Sequence, residues 1–282
     1  MQLLTTPNEM RAWSRARRRD GRRIGVVPTM GALHAGHLEL VRAAAERADD
    51  VVVTIFVNPL QFNQSADFDS YPRPIDDDVR QCEAAGVAAV YAPTASVMYP
   101  DGFQTHVEPG DLADRLEGPM RPGHFRGVTT VVTKLFGAVE PDVAMFGRKD
   151  FQQLAIITRM VADLDMGIEI VGVPIVREHD GLALSSRNVR LTDRDRSAAL
   201  VLSRSLQSGR AAYERGDTDA SSLIDLVRSS IEAEPRARLE YVELVDSATL
   251  RDVDRADDHS VLLTAAWFGD VRLIDNLPLE AG

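Results

Sequence analysis

Apolar side chains recur along this chain in two alternating rhythms, short unbroken runs and longer stretches with helical spacing. The first run, Arg23-Ile24-Gly25-Val26-Val27-Pro28, is ended by proline and followed by Gly31, and predicts a buried parallel strand feeding a tight loop. Over 37–47 the spacing of Leu38, Leu40, Val41, Ala44 and Ala45 is helical, and 51–57 is again continuously apolar or β-branched. Strand, helix and strand in that order predict a βαβ unit with a right-handed crossover. The alternation continues with a helix over 74–85 and a strand over 87–91. It breaks over 93–127 into a long stretch rich in Pro, Gly and charge, with a strand candidate at 105–107; connections of that kind are more often functional than idle. A helix over 128–139, a strand over 143–146, a helix over 150–162 with Asp150 as its N-cap and a strand over 168–173 complete this half.

Pro174 marks the expected boundary. Beyond it come the apolar 182–184, helical stretches at 193–215 and 219–233 joined by Gly216-Asp217-Thr218, and strand candidates at 239–245, 261–267 and 271–274. The expected fold class is α/β, a Rossmann-like parallel-sheet N-terminal domain over 1–174 with a smaller α+β C-terminal domain over 175–282.

Composition narrows the partners. The 32 basic and 43 acidic side chains leave a formal net charge of -11, so the average surface repels nucleic acid and anionic membrane, while a local basic pocket for a phosphorylated small molecule remains compatible. Four arginines between Arg15 and Arg19, beside Asp20, read as a solvated helix face. Cys82 is the single cysteine, which rules out an intramolecular disulfide and a cysteine metal cage. No stretch approaches the roughly 20 apolar residues of a membrane span, and 1–20 holds no unbroken apolar core of a signal peptide. The expectation is a cytoplasmic, unprocessed protein.

His34-Ala35-Gly36-His37 falls where the first strand hands over to the first helix. Sites in open parallel sheets form beyond the carboxyl ends of strands, and a helix N-terminus there offers unpaired N–H groups to phosphate. Gly36 lets a nucleotide approach the backbone, and each histidine can donate to a phosphoryl oxygen. An arbitrary pair with this spacing is more often a turn residue and a half-exposed helix residue; the strand upstream and the glycine between reverse that preference. Thr29-Met30-Gly31-Ala32 lacks the run of a dinucleotide fingerprint, no Gly-Lys-Ser/Thr supplies a P-loop, and no third zinc ligand is near.

This element resembles the signature of the nucleotidyl-transferase superfamily. Its surroundings are more specific: Val27-Pro28-Thr29-Met30-Gly31-Ala32-Leu33-His34-Ala35-Gly36-His37, Phe56-Val57-Asn58-Pro59-Leu60-Gln61-Phe62, Lys149-Asp150-Phe151-Gln152-Gln153-Leu154 and Ser185-Ser186-Arg187-Asn188 together resemble the pantothenate synthetase family, in order, over nearly the whole chain. The resemblance implies ATP-dependent condensation of (R)-pantoate with β-alanine through a pantoyl-adenylate, giving pantothenate, AMP and diphosphate, in a cytoplasmic homodimer that uses Mg²⁺.

By the same resemblance His34, His37 and Lys149 are catalytic, and ATP is held by Met30, His34, His37, Gly147, Lys149, Asp150, Val176, Leu184, Ser185, Ser186 and Arg187. Ser185, Ser186 and Arg187 match the second phosphate-binding loop, where two hydroxyls and a forked guanidinium follow the departing diphosphate. Gln61 and Gln153 match the pair that recognises pantoate, with Pro28, Met30 and Phe62 as an apolar wall and Asn58, Arg121 and His124 as secondary candidates. Asp76, Asp77 and Asp78 open a predicted helix, where acidic residues complement the dipole whatever the function. The resemblance places Asp77, Asp78 and Gln81 near phosphates carrying Mg²⁺, an ion that uses few protein carboxylates and arrives with ATP. Two positions depart from the family pattern: Arg148, where an acidic residue is common, and Leu184, where methionine is. The rival readings are a nucleotidyl transferase that passes AMP or CMP to another small acceptor, and a nucleotide-sensing protein that keeps the fold without catalysis.

Overall fold

The computed structural model describes residues 1–63, 68–69 and 71–280. The chain separates into two compact units, one of Met1–Arg148 with Gln152–Pro174 and one of Lys149–Phe151 with Ile175–Gly282. Among the described residues no helix is long and apolar enough to cross a membrane.

The first unit is built on a parallel sheet of six strands, β1 (Gln2–Leu4), β2 (Ile24–Thr29), β3 (Asp50–Ile55), β4 (Ala89–Tyr91), β5 (Val143–Gly147) and β6 (Glu169–Val173), in the order β1-β4-β3-β2-β5-β6. The inner strands β2, β3, β4 and β5 read as mainly apolar runs because both faces are covered. Successive side chains point to opposite faces. Ile24, Val26, Val52, Ala144 and Phe146 enter one core with the helices Pro7–Arg19, His124–Val139 and Phe151–Asp163, while Val27, Val51, Val53, Ile55, Val143 and Met145 enter the other with Leu40, Val41, Ala44 and Cys82. Burial raises the Cys82 thiol to about 11, so it behaves as a small apolar group in that core.

Some expected elements change. Residues 105–107 form no strand: Val107 N–H donates to Thr130 Oγ1 at 3.0 Å and Val107 C=O accepts from Thr129 Oγ1 at 2.7 Å, so helix hydroxyls take the place of a ladder. The helix expected at 128 begins at His124, because His124 and Phe125 continue its buried face. The helix expected over 150–162 runs Phe151–Asp163, so Asp150 directly precedes it, as the last residue of a 3-10 turn, Arg148–Asp150. β1 and the first turns of Pro7–Arg19 gave no apolar rhythm. That helix is set by a capping box, with Thr6 accepting from Glu9 N–H, Glu9 reaching back to Thr6 N–H, and Pro7 in the first turn.

The second unit holds an antiparallel sheet, β7 (Ala237–Asp246), β8 (Ser260–Phe268) and β9 (Val271–Pro278), with helices Asp193–Glu214 and Ala220–Glu232. Thr192 and Asp219 cap the two helices. Leu202, Leu206, Leu223, Val227 and Ile231 pack with Val242, Leu244, Leu262 and Phe268 in a core of this unit's own.

Candidate active site

Strand order reverses between β2 and β5: β3 lies to one side of β2, and β6 lies beyond β5 on the other. Crevices of open α/β sheets form at such a point, outside the carboxyl ends of the strands. The loop leaving β2 and Gly147, which closes β5, both border it.

The loop is wound around one carboxylate. Gly31 adopts φ +83, and a Cβ there would lie 2.8 Å from Asp78 Oδ2 and 3.1 Å from Ile55 Cγ2. Asp78 Oδ2 accepts from Ala32 N–H at 2.9 Å and Oδ1 from Leu33 N–H at 2.8 Å. Thr29 Oγ1 donates to Thr54 C=O at 2.7 Å and accepts from Gly31 N–H at 3.2 Å. Asp78 is 1% exposed and anchors the loop through both carboxylate oxygens. Asp77 pairs with Arg80 on the exposed side of the helix Ile75–Ala84, and Gln81 is half-buried. Among the described residues no group of three or more His, Cys, Asp or Glu side chains is arranged to hold a metal.

The loop ends in the two histidines. His34 caps the helix Ala35–Ala45, its Nδ1 accepting from Gly36 N–H at 3.2 Å, and His37 Nδ1 accepts from His34 N–H at 3.4 Å. The ring centroids are 4.0 Å apart. A ring nitrogen that accepts carries no proton, so the neutral form of each imidazole has its hydrogen on Nε2. The two rings sit at a helix N-terminus, a place suited to phosphate.

Gln61 is a second centre. Its side-chain Oε1 accepts from Asn58 Nδ2 at 2.9 Å, and its Nε2 lies 3.2 Å from Met30 Sδ. Its backbone carbonyl lies 2.8 Å from His124 Nδ1 and 3.4 Å from Arg121 Nη2. A carbonyl only accepts, so His124 Nδ1 carries a proton there. Asn58, 1% exposed, also donates to Gly127 C=O at 3.1 Å and accepts from Leu60 N–H at 3.3 Å and Tyr99 Oη at 2.7 Å. Met30, Asn58, Gln61, Arg121 and His124 are thus one connected group. Pro28 is half-buried at the end of β2, Gln153 is half-buried in the first turn of the helix Phe151–Asp163, and the Phe62 ring stands edge-on to Phe68 and Tyr71.

The remaining residues belong to the second unit. Lys149 Nζ lies 3.7 Å from Asp150 Oδ1, with the lysine side chain 19% exposed, and Lys149 C=O accepts from Asn276 Nδ2 at 2.9 Å. Leu184 N–H donates to Val176 C=O at 2.9 Å across a short antiparallel pairing that includes Arg177 and Ala183. Ser185 follows, its Oγ accepting from Arg187 N–H at 3.2 Å and capping the 3-10 turn Ser186–Arg190. Asn188 Nδ2 pins that turn to Glu178 Oε1 at 2.9 Å and Ala183 C=O at 3.1 Å. Arg148, in the first unit, directs its Nε to Gly172 C=O on β6 at 3.3 Å.

Two residues not named among the site candidates shape the site, Tyr99 from outside the sequence motifs and Gln152 from inside the Lys149–Leu154 motif. Tyr99 reaches Asn58, and Gln152, 3% exposed, donates to Leu112 and Arg115 carbonyls at 2.8 and 2.7 Å while accepting from Glu117 N–H at 2.9 Å. Gln152 was visible as part of that motif, whereas the signal for Tyr99 was indirect, namely its place in the long 93–127 stretch.

The family model for pantoate-beta-alanine ligase matches residues 2–278. The chain is 52% identical over 280 residues to the pantothenate synthetase of Heliobacterium modesticaldum, covering 99% of this chain and 100% of the relative. A solved pantothenate synthetase from Thermus thermophilus superposes with a TM-score of 0.94 at 43% identity, covering 100% of both chains. A pantoate-beta-alanine ligase from Francisella tularensis, complexed with beta-gamma ATP and beta-alanine, gives a TM-score of 0.80 at 33% identity, with 100% of this chain and 99% of the other covered. With a family model matched over residues 2–278 and relatives covered from end to end, this chain belongs to the pantoate-beta-alanine ligase family.

Proposed function

We propose that the protein condenses (R)-pantoate with β-alanine at the expense of ATP, through a pantoyl-adenylate, releasing AMP and diphosphate. The observation that carries this reading is the pair of imidazoles, each accepting through Nδ1, at the head of the helix Ala35–Ala45, together with a Gln61 amide held against Met30 of the same loop. The first feature suits a polyphosphate and the second a small oxygen-rich acid.

In the proposed first step a pantoate carboxylate oxygen attacks the α-phosphorus of ATP, and the bond from that phosphorus to the β-phosphate bridging oxygen breaks. His34 and His37 donate to phosphate oxygens, while Lys149, Ser185, Ser186 and Arg187 serve the α-phosphoryl group and the departing diphosphate. Met30, Gly147, Asp150, Val176 and Leu184 complete the nucleotide contacts. Gln61 and Gln153, with Pro28, Asn58, Arg121 and His124 around them, orient pantoate so that a poor encounter becomes an aligned one. In the second step the neutral β-alanine amine attacks the acyl carbonyl, the bond to AMP breaks, and the amine's proton passes to solvent.

Mg²⁺ bound to ATP would neutralise charge on the phosphates. The donor set suits an ion carried mainly by phosphate and water, with Asp77, Asp78 and Gln81 near it and Asp78 also anchoring the loop. We extend the family reading to a cytoplasmic homodimer, with the 1–174 part binding nucleotide and pantoate and the 175–282 part acting as a lid.

The test is pantoate-dependent exchange of labelled diphosphate into ATP in the presence of Mg²⁺, followed by a pantothenate assay with β-alanine. Exchange that needs pantoate, and product that needs β-alanine, are expected. A folded sample without exchange removes the adenylate step, and exchange without pantothenate removes the ligase.

A further inference from the structure

We propose that Tyr99 is a positioning residue for substrate recognition: its hydroxyl, acting through the buried amide of Asn58, locks in place the orientation in which the Gln61 amide faces the substrate. The inference rests on the assignment of Gln61 to pantoate made above.

The polarity starts from two backbone groups whose roles are fixed. Gly127 C=O can only accept, so the Asn58 atom 3.1 Å from it is Nδ2; Leu60 N–H can only donate, so the atom 3.3 Å from it is Oδ1. Asn58's other N–H then points at Gln61 from 2.9 Å, which makes the Gln61 atom there Oε1 and turns Nε2 toward Met30. The Tyr99 hydroxyl fills the last place on Asn58, donating to Oδ1 at 2.7 Å. All hydrogen-bonding positions of a side chain that is 1% exposed are then occupied, and each constrains the others.

Tyr99 is itself well held. Its ring stands edge-on to Phe103 at 5.0 Å and tilts against Phe56 at 6.1 Å, and Lys134 Nζ lies 6.0 Å from its centroid. Burial pushes the phenol well above its ordinary value, so the hydroxyl stays protonated and remains a donor at working pH. The chemical consequence is that position 61 presents N–H to the substrate. It selects an acceptor there, a carboxylate or hydroxyl oxygen of a small hydroxy acid, and disfavours an analogue carrying an ammonium in that place.

Steady-state kinetics on Tyr99→Phe, Gln61→Ala and the double variant test this. Tyr99→Phe keeps the ring and its packing. It is expected to raise KM for pantoate about three- to ten-fold, the range of one lost hydrogen bond, with kcat and the KM for β-alanine within about two-fold. In the Gln61→Ala background the same change is expected to add nothing. An unchanged pantoate KM in Tyr99→Phe, with Gln61→Ala impaired, overturns the inference and leaves the function standing. An equal Tyr99→Phe effect in both backgrounds overturns it as well, since the hydroxyl then acts on structure alone. Normal pantoate kinetics in Gln61→Ala removes the assignment on which it rests.

Discussion

At the scale of single residues, the loop leaving β2 is held from outside itself. Asp78 sits on the helix Ile75–Ala84 and receives the amides of Ala32 and Leu33, where Gly31 and Ala32 both have positive φ. Converting one of its oxygens to an amino group sets donor against donor in a buried place. Asp78→Asn is therefore expected to cost about 1–3 kcal/mol of stability and to raise KM for ATP, checked by thermal unfolding beside ATP kinetics. An unchanged midpoint would show that the loop holds its shape without this carboxylate. The histidines were legible in the sequence because strand, glycine and helix start all bear on the same four residues. The loop role of Asp78 was not, because an acidic residue in a first helical turn has an ordinary electrostatic reason to be there. Tyr99 was hidden for a different reason: its bond to Asn58 spans 41 positions, and no local spacing encodes it.

At the scale of elements, the group centred on Gln61 depends on how closely the helix His124–Val139 approaches the 3-10 turn Pro59–Gln61. A Cβ on Gly127 would lie 2.4 Å from Leu60 C=O and 2.8 Å from Gln61 N, both rigid backbone. Gly127→Ala must push helix and turn apart, at a cost of about 1–3 kcal/mol, and is expected to weaken pantoate binding without altering ATP affinity. Separate titrations with the two substrates, together with a melting curve, check this. The strands of the parallel sheet were readable because burial on both faces leaves no polar position to blur the run. β1 escaped notice, since three edge residues with Leu3 at 52% exposure make no pattern. The helix His124–Val139 was read four residues short, because its buried histidine looks polar in sequence and apolar rhythm alone does not count it.

At the scale of the whole molecule, stability is shared between two units with separate cores, so unfolding need not be a single transition. Glu243 on β7 bears on the second core. Desolvation, reinforced by Asp252 and opposed by Arg228, raises its carboxyl above the ordinary 4.5. A raised acid favours the native state while protonated. Its contribution is full below 4.5 and is lost as pH climbs through the folded value. Glu243→Gln is expected to stabilise the second unit near neutral pH, with the gap to wild type closing toward pH 4.5; melting curves across that span check it. A gap that does not change with pH would assign the effect to packing.

The tripeptide Lys149–Phe151 carries a lesson for anyone who would dissect this chain. It groups with residues 175–282 and lends its Lys149 carbonyl to Asn276, although a helix and a strand of the first unit separate it from Pro174 along the chain. A fragment beginning after Pro174 would leave part of its own unit behind on the other piece, along with the lysine assigned to the reaction. The two units are therefore not separable modules joined at one seam. Exchanging the C-terminal part between relatives calls for a graft at two places, one of them only three residues long.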